Sequence, residues 1–215
     1  MALTTPSPAP LRPAQPVSRA CLALAAVLAV QFAAAADLPA GWFKDGKAPR
    51  QFRAGVDAGL GREGGASAYL KSWTAEPPIY GTLMQRVDAE RYRGKRVRLR
   101  GWLRTDDVDH EDGWAGLWLR IDGPAGRSLA FDNTEEEPVR ENSDWTRVAV
   151  VLEVDDRAEA LAFGFMLVGS GKVWADDLEL DEVGRDVPVT AAPRRELPKA
   201  PVNLGFESLE SETGV

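Results

Sequence analysis

Between Gln51 and Val183 the chain alternates apolar and polar side chains over short runs. The clearest run is Arg96–Arg104: Val97, Leu99, Gly101 and Leu103 share one parity, and Arg96, Arg98, Arg100, Trp102 and Arg104 the other. Successive side chains of an extended chain point to opposite faces, so this spacing spells a strand with one apolar and one polar side. Leu117, Leu119 and Ile121 alternate with Trp118 and Arg120 in the next run, and residues 146–154, 161–168 and 173–183 continue the pattern. Weaker strands are expected at 51–56, 67–71, 82–87 and 127–131. Between the runs stand Arg93-Gly94, Asp122-Gly123, Asp132-Asn133 and Gly169-Ser170-Gly171, residue types that turn the chain at low steric cost. No stretch of this body keeps a 3.6-residue stripe over three turns. The pattern predicts an all-β fold: an antiparallel sandwich, or jelly roll, of about nine or ten strands over residues 37–183.

The ends read differently. Arg12 and Arg19 precede an alanine-rich apolar run, Ala20 to Ala36, with small residues at its close. This is the layout of an export signal, with cleavage expected after Ala36. The run is short and weakly apolar for a membrane span. The expected location is therefore the periplasm or the exterior, with no membrane attachment after cleavage. Residues 184–201 are Pro-rich and read as an extended connector. Residues 202–215 open on a short apolar string, Val202 to Glu207, which needs a place to dock.

Composition narrows the partners. The only cysteine, Cys21, lies in the leader, so the mature chain is expected to have no disulfide, no thiolate zinc site and no cysteine nucleophile. The formal net charge is -7, and the leader carries only its two arginines. So acidic a chain is repelled by phosphate backbones, which argues against nucleic acid.

Several residues could hold a ligand. Trp102 and Trp118 share the non-core parity of consecutive strands, together with Arg100, Arg104 and Arg120. Sugar rings stack on indole faces while their hydroxyls seek Asp, Asn and Arg, so this set reads as a platform for a glycan, an acidic one included. The same parity could equally be covered by a loop or by the tail. Trp114 and Tyr80, with Trp42 and Trp73, fall in loops or at strand ends, where the rim of a site would lie. Trp145 and Trp174 read as core. Asp132 and Asn133 could bond sugar hydroxyls or form a turn. The acidic loop 105–113 lacks the EF-hand spacing of Gly and Glu, and its His110 has no partner for a zinc site or a nucleophile. No carboxylate pair stands out as a glycosidase dyad, so a catalyst is not expected.

Stretches 64–70, 81–85, 92–104, 116–122 and 173–180, taken in order, resemble the jelly rolls of carbohydrate-binding modules with the galactose-binding-like fold. The chain also resembles a group of uncharacterised bacterial proteins. The shared features are the Gly-Trp-Phe at 41–43, Trp-Ala-Gly-Leu-Trp at 114–118, Leu-Ala-Phe-Asp-Asn at 129–133 and Asn-Leu-Gly-Phe-Glu at 203–207. Some of that group carry a transcriptional-regulator label, a role that the acidic charge, the export signal and the lack of a helix-turn-helix pattern disfavour. The resemblance to binding modules implies a non-catalytic module for a glycan or other envelope polymer; a protein–protein accessory role is the alternative. It also implies a structural calcium held by Asp177 and Glu207, with Asp176 as an alternate, and suggests that residues 202–207 fold back into the place of a first strand. The rival reading of that tail is the start of a further module.

Overall fold

The computed structural model describes residues 38–73, 79–108, 112–191, 200–201 and 204–205. The leader with its expected cleavage site, His110, Phe206 and Glu207 lie outside them. Within them the chain forms two five-stranded sheets. Sheet A sets β1 (Phe43–Gly46), β4 (Tyr80–Asp88), β9 (Ala160–Val168), β6 (Trp114–Asp122) and β7 (Ser128–Asn133) side by side in that order. Sheet B sets β2 (Phe52–Ala58), β3 (Ala66–Ser72), β10 (Gly171–Val183), β5 (Arg96–Val108) and β8 (Glu141–Glu153) side by side. Every pairing is antiparallel.

The alternation seen in the sequence is the alternation of these two inner faces. Val97, Leu99 and Leu103 of β5 meet Leu117, Leu119 and Ile121 of β6, with Phe52, Leu70, Leu83, Leu161, Phe165 and Leu167, in one continuous core. Strand β9 is buried along its whole length because both of its faces are covered. Leu161, Phe163, Phe165 and Leu167 enter the core. Ala162, Met166 and Val168 join Met84, Trp114 and Trp118 in a second apolar cluster on the other side of sheet A.

One strand escapes the sequence pattern. β1 has four residues, FKDG, without an apolar parity, and its Phe43 is 43% exposed. It is a strand because β4 offers it a partner edge, with Lys44 opposite Leu83 and Asp45 opposite Thr82. It ends at Gly46, whose φ of +127° and close approach to the Tyr80 carbonyl suit glycine.

The connector after β10 is less free than its composition suggests. The Thr190 N–H donates to the carbonyl of Val151 on edge strand β8 (3.0 Å), and its hydroxyl accepts from the Val151 N–H (2.8 Å). The same hydroxyl donates to Asp132 on edge strand β7 (2.5 Å). One residue thus straps the two sheets together at the edge they share. Of the string expected to dock further on, residues 204–205 form a turn with Leu204 75% exposed.

The outer face of sheet B is a ladder of paired charges. Arg96 meets Glu153 (2.6 Å), Arg98 meets Asp181 (2.8 Å), Arg100 meets Glu179, and Lys95 meets Glu182 (2.7 Å). Trp174, expected in the core, is buried on this outer side instead. It lies opposite Arg104, beneath Arg104 and Lys172, and its indole N–H donates to Asp57 (2.7 Å). Lys172 also donates to Asp57 (2.6 Å). Burial pushes the Asp57 carboxyl up, but the bonds from Lys172 and Trp174 and the nearby ammonium outweigh it and leave the group below its ordinary value. A depressed carboxylate stabilises the fold fully above its unfolded value and loses that contribution as pH falls through the folded one. Thermal melts from pH 7 to 3 are expected to show stability dropping below about pH 4, with a shallower drop in Asp57→Asn.

Candidate functional site

The outward side chains of sheet A form rows across the strands. Tyr80, Val168 and Trp114 make the first; Asp45, Thr82, Met166 and Gly116 the second. Phe43, Met84, Gly164, Trp118 and Asn133 make the third, and Arg86, Ala162, Arg120 and Phe131 the fourth. These rows floor a groove of about 630 Å³ lined by Trp114, Trp118, Met84, Met166, Val168, Tyr80 and Phe131, with Asp45, Thr82, Asp112, Arg120, Asn133 and Glu135 among the polar positions. Phe131 is 51% exposed and stands at the rim, its ring centroid 6.5 Å from that of Trp118.

Trp118 is held in place from below. Its indole N–H donates to Thr82 Oγ1 (2.7 Å), which in turn donates to the Phe165 carbonyl (2.8 Å), and Thr82 is buried. The absence of a Cβ at Gly116 lets the Trp114 ring and Thr134 close over that position. Thr82→Val leaves the indole N–H without its acceptor, which typically costs about 1–3 kcal/mol. The expected signs are a lower melting temperature and altered tryptophan emission, with Thr82→Ser close to the parent in both. An unchanged Val variant would show that the bond does not hold the ring.

Beside the groove, charge is organised around the buried Asp122. Arg120 donates to both of its oxygens (2.7 and 3.1 Å), and Arg86 lies 3.5 Å away. The Asp122 bond holds the Arg120 guanidinium, already a strong base, still more firmly charged, against the opposing effect of burial.

Of the residues singled out from sequence, Trp118, Trp114, Tyr80, Arg120 and Asn133 come together here. The others do not. β5 and β6 follow one another in the chain but belong to different sheets, so the same outward parity sends their side chains to opposite sides of the sandwich. Trp102 therefore lies on sheet B, with the Arg62 guanidinium 4.9 Å from its ring centroid. Arg100 is paired with Glu179, and Arg104 lies over Trp174. Asp132, on the opposite parity to Asn133, is taken by Thr190. Trp42 packs against Phe163 and Phe165, and Trp73 is exposed beside Arg53 and Lys71. Thr82, Met84, Asp45, Phe131, Met166 and Glu135 complete the groove without having been picked out. The outward parity of residues 80, 82 and 84 was readable, but their adjacency to β6 through β9 was not.

The residues expected to bind calcium have another partner. Asp176 accepts from the Arg62 N–H (2.8 Å), and Asp177 accepts from the Arg62 side chain (2.9 Å). The described residues contain no group of three or more acidic, His or Cys side chains placed to hold a metal, and Glu207 lies outside them. Asp176 and Asp177 thus form an arginine clip between the β2–β3 loop and β10. Chelation with EDTA is expected to leave the melting temperature of the protein unmoved; a drop would reveal a bound cation.

The strand order and the aromatic groove on one sheet define a β-sandwich with the fold of carbohydrate-binding modules. The chain is similar in fold to the C-terminal family 22 carbohydrate-binding module of Clostridium thermocellum Xyn10B, a structure described in terms of cleft residues in ligand binding (TM-score 0.50, 10% identity, 67% of this chain and 88% of that one). It is also similar to the CBM22-1–GH10 modules of xylanase 10B from the same organism, complexed with xylohexaose (TM-score 0.50, 12% identity, 71% and 28%). A third likeness is to the enzymatically active domain of tailspike protein 4 of Bacteriophage CBA120 (TM-score 0.52, 13% identity, 67% and 20%). No protein-family profile matches the chain. In sequence it is 39% identical over 169 residues to an uncharacterised HTH-type transcriptional regulator, YbfP, of Bacillus subtilis (strain 168). That match takes in 78% of this chain and 56% of the relative, so the chain spans little more than half of that protein's length. Among the described residues there is no α-helix, so a helix-turn-helix has no counterpart in them.

Proposed function

We propose that this chain is a non-catalytic glycan-binding module that acts outside the cytoplasm. One observation carries the reading: buried, bond-anchored Trp118 and rim Phe131 floor a groove that runs across five strands and carries hydroxyl, amide and carboxylate groups beside the rings. Apolar rings with flanking hydrogen-bond partners match the two faces of a pyranose, one of C–H groups and one of hydroxyls. The fold shared with a family 22 carbohydrate-binding module favours the same reading. Export rests on the Arg19–Ala36 pattern and places the partner among the polymers of the envelope or the exterior. The accessory protein-docking alternative calls for a flat apolar patch; the exposed Tyr80 and Phe131 instead line a concave site.

The test is a glycan array probed with the purified protein, followed by titration of each hit. Binding is expected to at least one polysaccharide class. Silence across neutral, basic and acidic glycans would remove the reading. Cell fractionation with N-terminal sequencing tests export, and cleavage after Ala36 is the expected result.

A further inference from the structure

The charges around the groove narrow its ligand further, a step that rests on the glycan-binding reading. One cation lines it, Arg120. Its guanidinium turns to the buried carboxylate of Asp122, where Arg86 joins it, and so is not left over to receive an anionic ligand. Asp45, Asp112 and Glu135 also line the groove, and among the described residues none of them forms an ion pair within 4 Å, though Asp45 acts on Arg120 at longer range. Among the residues that line the groove three carboxylates meet one guanidinium, in a chain that is already acidic overall.

The floor has the same preference by a separate route. Aromatic rings present electron-rich faces that attract cations. Trp118 already accepts one, with Arg120 6.0 Å from its ring centroid. Carboxylates and electron-rich rings lining one groove suit an ammonium group and repel a uronate.

We propose that the ligand of this groove is a glycan bearing protonated primary amines, an amino-sugar chain wholly or partly without N-acyl groups. Its rings pack on Phe131 and Tyr80, the exposed rings of a groove floored by Trp118, and its ammonium groups reach Asp45, Asp112 and Glu135. Hydroxyls of a neutral sugar bond to the same carboxylates, but a charged donor makes a hydrogen bond roughly twice as strong and cancels the surplus charge.

The experiment is titration calorimetry of the full chain with three oligosaccharides of equal length: β-1,4-linked glucosamine, its N-acetylated form and galacturonate. The glucosamine oligomer is expected to bind roughly tenfold tighter than the acetylated one in dilute buffer, with the advantage shrinking as salt screens the rim. The galacturonate oligomer is expected to bind weakest. In the combined variant Asp45→Asn, Glu135→Gln the first two oligomers are expected to converge in affinity. Should that variant fold poorly, the salt dependence of the unaltered protein tests the same charge preference. Equal binding of the acetylated and free-amine oligomers, or preference for the uronate, would overturn amine selection while leaving glycan binding intact. No binding of any of the three would also overturn amine selection, while the glycan-binding reading stands or falls with the array.

Discussion

Replacing Trp118 by alanine is expected to weaken glycan binding about 30-fold or more while the sandwich survives. The indole is central to the third row of sheet A, flanked by Met84 and Gly164 on one side and Asn133 on the other. Removing an aromatic anchor from the middle of a site commonly costs about 2 kcal/mol of binding, which is that factor in affinity. The core of the sandwich is built by the opposite parity, Leu117 and Leu119, and stays intact. Trp102→Ala is the matched control, since its ring lies on the far sheet beside Arg62. Titration of both variants, with far-ultraviolet circular dichroism as the check on folding, decides between them. Equal losses, or no loss at Trp118, would place the binding site elsewhere.

The second large effect is expected at a residue with no side chain. A Cβ on Gly164 would lie 2.2 Å from the Leu83 carbonyl oxygen and 2.8 Å from Met84 Cα, both backbone atoms of β4. Backbone cannot rotate away as a side chain can, so β4 and β9 must part locally. Overpacking of this kind typically costs about 1–3 kcal/mol, and a site between two paired strands belongs at the upper end. Gly164→Ala is expected to lower the denaturant midpoint substantially. It should also loosen the groove, because Thr82, which holds Trp118, sits on the strand that moves. Urea melts of the variant check the first effect and ligand titration the second. An unchanged midpoint would mean that the two strands have slack at this position.

Much of this molecule was legible in its sequence, and what was not has a common cause. Nine strands follow from period-two alternation because each has one face in the core. β1 does not, because its stability comes from the edge of β4 and leaves no apolar signature in Phe43–Gly46. Tyr80, Trp114, Trp118, Arg120 and Asn133 were legible as outward or strand-end residues of binding type, and they do meet. Pairing Trp102 with Trp118 failed for a topological reason. Alternation tells which side of a strand is wet, but not which sheet the strand joins, and β5 and β6 are separated by that choice alone. The resemblance marked Asp176 and Asp177 as metal ligands, but nothing in the sequence marked Arg62, 115 positions away from Asp177, as the partner of both.

The strand order also governs when this protein can exist at all. The middle of sheet A is β9 and the middle of sheet B is β10, the last two strands among the described residues, joined through Gly169 and Ser170. Until residue 160 has been made, β4 and β6 have nothing between them; until residue 171, β3 and β5 are equally apart. A growing chain therefore accumulates outer strands without their centres and closes both layers in one late step, over contacts of long sequence separation that fold slowly. A ribosome-tethered series of increasing length should stay open to protease until both central strands have emerged, then become resistant all at once.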